Sequence, residues 1–137
     1  MKILITLCIT LVSSLSYAGG KYSSKNFVIC AITNTSWTQF SKTGIYSPDS
    51  LSEEGFIHFS KPDQLKYVMN KYLTADSYVL AISSKGKLGK GLVYESTGAL
   101  AFYPHLYRPL LFEELITTIS IVRNHDGTFS LPEEFRL

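Results

Sequence analysis

Two stretches of the chain, Phe27–Ile32 (FVICAI) and Tyr78–Ile82 (YVLAI), are apolar without interruption and short, the pattern of strands buried on both faces. Between them the period changes. Leu65, Val68, Met69 and Tyr72 recur at i, i+3, i+4 and i+7, which predicts a helix running to about Leu73 with that stripe buried. The helix would open at Ser60-Lys-Pro-Asp63, with Ser60 as cap, Pro62 tolerated in the first turn and Asp63 as the acidic partner. A shorter helix is predicted from Asn34, carrying Trp37 and Phe40 three apart and closing near Gly44. Residues 118–122 alternate Ile119 and Ile121 with Thr118 and Ser120, an amphipathic strand, and Asn124–Gly127 then turns the chain toward Phe129 and Leu131.

Ser47–Ser50 reads as a turn, and Leu92–Glu95 and Ala99–Tyr103 read as further strand segments. In Gly55-Phe-Ile-His-Phe-Ser60 (GFIHFS), alternation sends Ile57 and Phe59 to one face and Phe56, His58 and Ser60 to the other. Strands dominate, and the helices fall in the first half. The expected class is α+β: one domain over residues 27–135, with a largely mixed or antiparallel sheet and two short helices in its N-terminal half.

The amino end changes the picture of where the chain works. Met1-Lys2 precedes an apolar run from Ile3 to Val12, and Ser16-Tyr17-Ala18 places small residues at −3 and −1. This predicts a cleaved secretory signal over residues 1–18, a flexible leader over 19–26, and export to the periplasm or beyond. No other segment approaches the ~20 apolar residues of a membrane span, so no stable anchor is expected after cleavage. Cleavage lowers the formal charge from +2 to +1, which gives no reason to expect nucleic acid as a partner. Cys30 would then be the one remaining cysteine, without an intrachain partner and, inside FVICAI, buried and inert.

Several residues carry candidate chemistry. His58 lies just before a helix start, whose backbone N–H groups and dipole suit a phosphate, and Ser60 lies beside it. In an extended Tyr103-Pro-His-Leu-Tyr107, the rings of Tyr103, His105 and Tyr107 share a face, a wall for a planar ligand, and Arg108 could pair with a phosphate. Glu95 could serve as a base or accept from a ribose hydroxyl. Each has a plain structural alternative: a hydrogen-bonded strand histidine, a helix cap, an edge strand with amphipathic rings, a surface arginine, an exposed strand-end carboxylate. Lys85–Gly91 is no P-loop, because Lys90 is followed by Gly91 rather than Ser or Thr. His58, His105 and Glu95 have the donor types of a zinc site but no short ligand spacing, so no metal is expected. No GxSxG turn is present, and His125 reads as a turn residue.

Taken in order, Trp37, Gly44-Ile-Tyr46 with Leu51, Glu54–Ser60, Gln64, Tyr78-Val-Leu80, Tyr94-Glu95, Tyr103-Pro-His-Leu-Tyr-Arg-Pro109, Asp126-Gly-Thr-Phe129 and Leu131-Pro132 form one pattern. Over about Phe27 to Pro132 it resembles the domain of unknown function 952 family, which is bacterial. That family is similar in fold to the ADP-ribosyltransferase superfamily, which implies a split sheet around a nicotinamide-dinucleotide cleft. On this resemblance His58, Glu95 and His105 form the catalytic set, with Glu95 standing in for the carboxylate that stabilises a ribosyl cation. Ser60, Tyr107, Arg108, Trp37 and Tyr46 form the cofactor-binding set: Tyr107 would join His58 in clamping base or ribose, and Arg108 with the helix start would hold phosphates. Phe27–Ile32 departs from the superfamily by offering Cys30 where a histidine or arginine often holds the ribose. The implied function is an exported domain that binds a nucleotide or phosphate ligand and performs ribosyl transfer or hydrolysis on an NAD-like dinucleotide. The alternative is a non-catalytic binding or interaction module using the same cleft.

Overall fold

A computed structural model of the chain describes residues 20–96, 98 and 101–136; the expected signal segment, residues 1–18, lies outside them. The two apolar runs pair with each other at the centre. Strand β1 (Phe27–Thr33) lies antiparallel to β4 (Ser77–Ser84), with Ile29 opposite Ile82, and β8 (Thr117–Val122) lies antiparallel on the far edge of β4, with Ile119 opposite Leu80. Both faces of this sheet are covered, which is why neither run alternates. Ile29, Tyr78, Leu80 and Ile82 pack with Leu65 and Met69 of the helix α3 (Leu65–Tyr72), while Val28, Cys30, Ile32 and Ala81 pack on the opposite side around Phe40. Phe40 belongs to α1 (Asn34–Thr43), capped by the Thr33 hydroxyl and ended by Gly44 at φ 75°, a left-handed turn that favours glycine. Cys30 is a free, buried thiol, and burial pushes its pKa up to about 12, so it stays protonated.

The second sheet carries the GFIHFS segment. Strand β3 (Ile57–His58) pairs with β6 (Phe102–Leu106), which pairs with β5 (Leu92–Ser96); β2 (Ile45–Tyr46) and β7 (Leu110–Leu111) form a small ribbon. The chain just past β3 joins the two larger sheets. Phe59 N–H donates to the Pro104 carbonyl at 3.0 Å, and Ser60 exchanges two backbone hydrogen bonds of 2.8 Å with Ile29 of β1. The architecture is therefore a single α+β domain with a split sheet, and every pairing between described strands is antiparallel.

Four expectations are corrected. Residues 20–26, taken as a flexible leader, are packed: Tyr22 is buried between Phe27 and Phe135, with ring centroids at 5.0 and 5.5 Å, and the Ser24 hydroxyl accepts from Asp63 N–H. Ser60 is not the helix cap, because its backbone is committed to β1. A 3-10 turn at Pro62–Gln64 leads into α3, and the Gln64 side chain accepts from Lys61 N–H at 3.0 Å. The buried stripe of α3 is only half buried, since Leu65 and Met69 enter the core while Tyr72 is 58% exposed. Short helices also appear where turns or loops were read, α2 (Asp49–Glu53) and α4 (Lys85–Leu88). No helix among the described residues is long and apolar enough to cross a membrane.

If Tyr22 is an integral part of the core, Tyr22→Ala lowers the unfolding free energy by about 3 kcal/mol in urea titration, the cost of emptying a buried aromatic site. A change within about 0.5 kcal/mol, typical of a surface substitution, would mean that the segment is not part of the folded unit.

Candidate active site

Pairing β3 to β6 puts His58 directly opposite His105. Directly opposed residues of an antiparallel pair project from the same face as near neighbours, and here the two imidazole centroids are 5.5 Å apart with ring planes at 81°. Both line a cleft of about 470 Å³, within the range of small-molecule sites. Phe56 and Ser60, on the same strand face as His58, and Tyr103, on the same strand as His105, also line it. Val68, Met69 and Tyr72 of α3, Ile29 and Ala31 of β1, and Phe59 line it as well.

Each imidazole is bonded to a carboxylate. Glu54 Oε2 lies 2.7 Å from His58 Nε2, and both side chains are about half exposed on the cleft rim. Glu95 Oε2 lies 2.8 Å from His105 Nδ1, and His105 is 1% exposed. The Tyr107 hydroxyl donates to the same carboxylate, 2.7 and 2.6 Å from its two oxygens. That hydrogen bond, then the one from His105, holds the Glu95 carboxyl below its usual range and raises the Tyr107 phenol. An ionised Glu95 only accepts, so Nδ1 of His105 carries the proton and Nε2 is left for the cleft. By the same logic His58 donates from Nε2 to Glu54 and keeps Nδ1 free. Phe56 stacks on His105 with centroids 3.9 Å apart and planes at 12°, which fixes the ring from its face.

The structure thus gathers His58, His105 and Ser60 at the cleft, with Glu95 and Tyr107 behind His105 on the side away from His58. Glu95 is not among the lining residues and acts on the cleft through His105. The remaining expected ligand-binding residues lie elsewhere. Arg108 spends its guanidinium on the protein: both Nη atoms pair with Glu114 at 3.0 and 2.7 Å, Nη2 also donates to the Leu88 carbonyl, Nη1 to that of Pro109, and Nε to that of Lys90. No donor is left to clamp a phosphate. Trp37 packs on Phe40 and Phe112 at 5.6 and 5.8 Å, and Tyr46 stands edge-on to Phe40, its phenol pushed up by burial; both belong to the core around α1. At the helix start, Lys61 N–H and Asp63 N–H are taken by Gln64 and Ser24, so the expected anion site is filled by the chain's own oxygens. Among the described residues, no three His, Cys, Asp or Glu side chains are grouped to hold a metal ion.

Two members of the cleft were missed in the sequence. Phe56 could have been found, since alternation puts it on the face of His58. Glu54 gave a weaker signal, because it reaches His58 across Gly55, whose φ of 90° bends the chain back after α2.

A family model described as protein of unknown function (DUF952) matches residues 31–118. The chain belongs to the DUF952 family. Among solved structures, this DUF952 chain is similar to the protein CC0527 from Caulobacter crescentus. The crystal structure of that protein is 27% identical, with a TM-score of 0.73 over 81% of this chain and 99% of that one. Its solution NMR structure is 28% identical, with a TM-score of 0.65 over 74% and 90%. No curated protein matches the chain. The similarity supports the α+β architecture, while the likeness to ADP-ribosyltransferases rests on the sequence resemblance alone.

The hydrogen bond from Tyr107 makes the stability of the site depend on pH with a definite sign. Glu95 has a lowered pKa when folded, so its contribution is fully present above the unfolded carboxyl pKa of about 4.3 and is lost as pH falls through the lower folded value. Tyr107→Phe removes the largest cause, and the Glu95 titration, followed by carboxyl carbon NMR, is expected to move upward toward the unfolded value. An unchanged midpoint would show that Tyr107 does not set it.

Proposed function

We propose that this DUF952 protein is a small-molecule enzyme in which His58 and His105 act as a general acid–base pair. One observation carries this reading: two imidazoles 5.5 Å apart at a cleft, each fixed in its tautomer by a carboxylate bonded to the opposite nitrogen. With one ring neutral and the other carrying a second proton on its unbonded nitrogen, such a pair can take a proton from one atom of a bound substrate, or from water, at the first ring and deliver the second ring's extra proton to another atom. Such positioned proton transfer contributes typically 10²–10⁴-fold to a rate. The carboxylates orient the rings.

The NAD-like reading fits less well. A pyrophosphate calls for cations or free N–H groups, whereas Arg108 is committed to Glu114 and the helix-start donors to Ser24 and Gln64. Glu95, cast as the group facing a ribosyl cation, lies behind His105 instead. Export to the periplasm or beyond, expected from residues 1–18, belongs to the proposal. A non-catalytic binding module remains the alternative outcome of the test.

The test is turnover of a panel of simple esters, ketones, nucleoside 2′,3′-cyclic phosphates and NAD, with the cyclic phosphates and NAD as contrasting classes. Expected is turnover of at least one uncharged member, a bell-shaped pH profile, and a loss of about 10²-fold or more in both His58→Ala and His105→Gln with the fold retained by circular dichroism. Ligand-dependent thermal stabilisation with no turnover of any member would make the protein a binding module. Turnover that survives His58→Ala would remove the pair from the chemistry.

A further inference from the structure

The cleft lining is of two kinds. Glu54, His58, His105 and Ser60 bring its polar groups. Ile29, Ala31, Leu65, Val68, Met69 and Leu73 bring aliphatic surface, with the rings of Phe56, Phe59, Tyr72 and Tyr103 beside them. None of the described lining residues is a lysine or arginine. Lys71, next to Tyr72 in sequence, is committed: its Nζ lies 2.6 Å from the Tyr67 hydroxyl and over the Tyr72 ring. An anion entering this space would meet the Glu54 carboxylate and find no fixed cation, so polyphosphates and carboxylates are disfavoured. The aliphatic part of the lining repays apolar surface.

Ser60 adds the discriminating detail. It is 5% exposed, its backbone N–H and C=O are both bonded to Ile29, and no described residue engages its hydroxyl. Strand alternation places that hydroxyl on the face shared by Phe56 and His58, which is the cleft face. A nearly buried hydroxyl without a protein partner is suited to donate to a ligand, and the natural complement is a neutral carbonyl oxygen. From the geometry we infer that the cleft takes an uncharged, largely hydrophobic carbonyl compound, an ester or ketone. Its chain lies along α3, and its oxygen sits at Ser60 beside the two imidazoles. This ligand class rests on the reading of the cleft as a binding site but not on the acid–base chemistry.

The probe is N-phenyl-1-naphthylamine, a neutral dye that fluoresces in apolar sites, with ethyl hexanoate, hexanoate and NAD as competitors. The dye is expected to bind the whole protein saturably. Ethyl hexanoate should displace it, hexanoate should do so at least about tenfold less well, and NAD not at all. Val68→Trp fills part of the cleft from a half-buried lining position and should weaken dye binding about tenfold while the far-UV spectrum and Tm hold. Ser60→Ala should weaken displacement by ethyl hexanoate about fivefold and leave the dye's own affinity unchanged, since only the ester has a carbonyl to bond. Failure of the dye to bind, equal binding to Val68→Trp, or displacement by hexanoate or NAD as effective as by the ester would overturn the assignment. The expected binding pattern without turnover of any ester or ketone would sink the acid–base reading and leave the ligand class standing.

Discussion

The four residues Ile57–Ser60 are bonded along both edges, and the site exists because of it. On one edge they follow β6, through the pairing of His58 with His105 and the hydrogen bond from Phe59 to Pro104; on the other, Ser60 is stitched to Ile29 of β1. Buried backbone polar groups must find partners, and these find them in two different sheets. The register is then fixed, because Ile57 and Phe59 pack into the core, Phe59 also touching the cleft, while Phe56, His58 and Ser60 share the other strand face and line the cleft. A slip of one residue would drive an imidazole into the core and a phenyl ring into the cleft, so the alternation specifies the alignment.

That alignment sets up a row of polar groups across the second sheet, from Glu54 through His58 and His105 to Glu95 and Tyr107. His105 is the member that could not be buried alone. Its Nδ1 proton goes to Glu95, whose carboxylate also receives the Tyr107 proton, so charge and hydrogen-bond demands close on one another. Arg108, one residue further along, shows the opposite use of a charged group: it is bonded to Glu114 and to three backbone carbonyls, and it ties the turn after α4 to the segment that follows β7.

One wall of the cleft is supplied by a helix that serves two masters. Leu65 and Met69 anchor α3 in the core, while Val68 and Tyr72, on the same apolar stripe, stop short of it. Apolar surface left uncovered by the protein's own packing is what the proposed hydrophobic ligand would cover.

Much of this was legible in the order of residues. Two unbroken apolar runs become the paired central strands, period-3.6 spacing becomes α1 and α3, and alternation in GFIHFS assigns the faces correctly, because each depends on contacts a few residues long. His58 and His105 could be named as candidates from their neighbours alone. What local pattern could not decide was partnership. Arg108 looks like a phosphate ligand until Glu114 is seen beside it, Ser60 looks like a helix cap until Ile29 claims its backbone, and Trp37 and Tyr46 look like cleft aromatics until Phe40 gathers them into the core. A sequence fixes which groups a residue carries and which way it points along its own strand or helix. Only the folded chain decides which of those groups have already been satisfied, because their partners lie in elements distant along the chain and meet only once the sheets have closed.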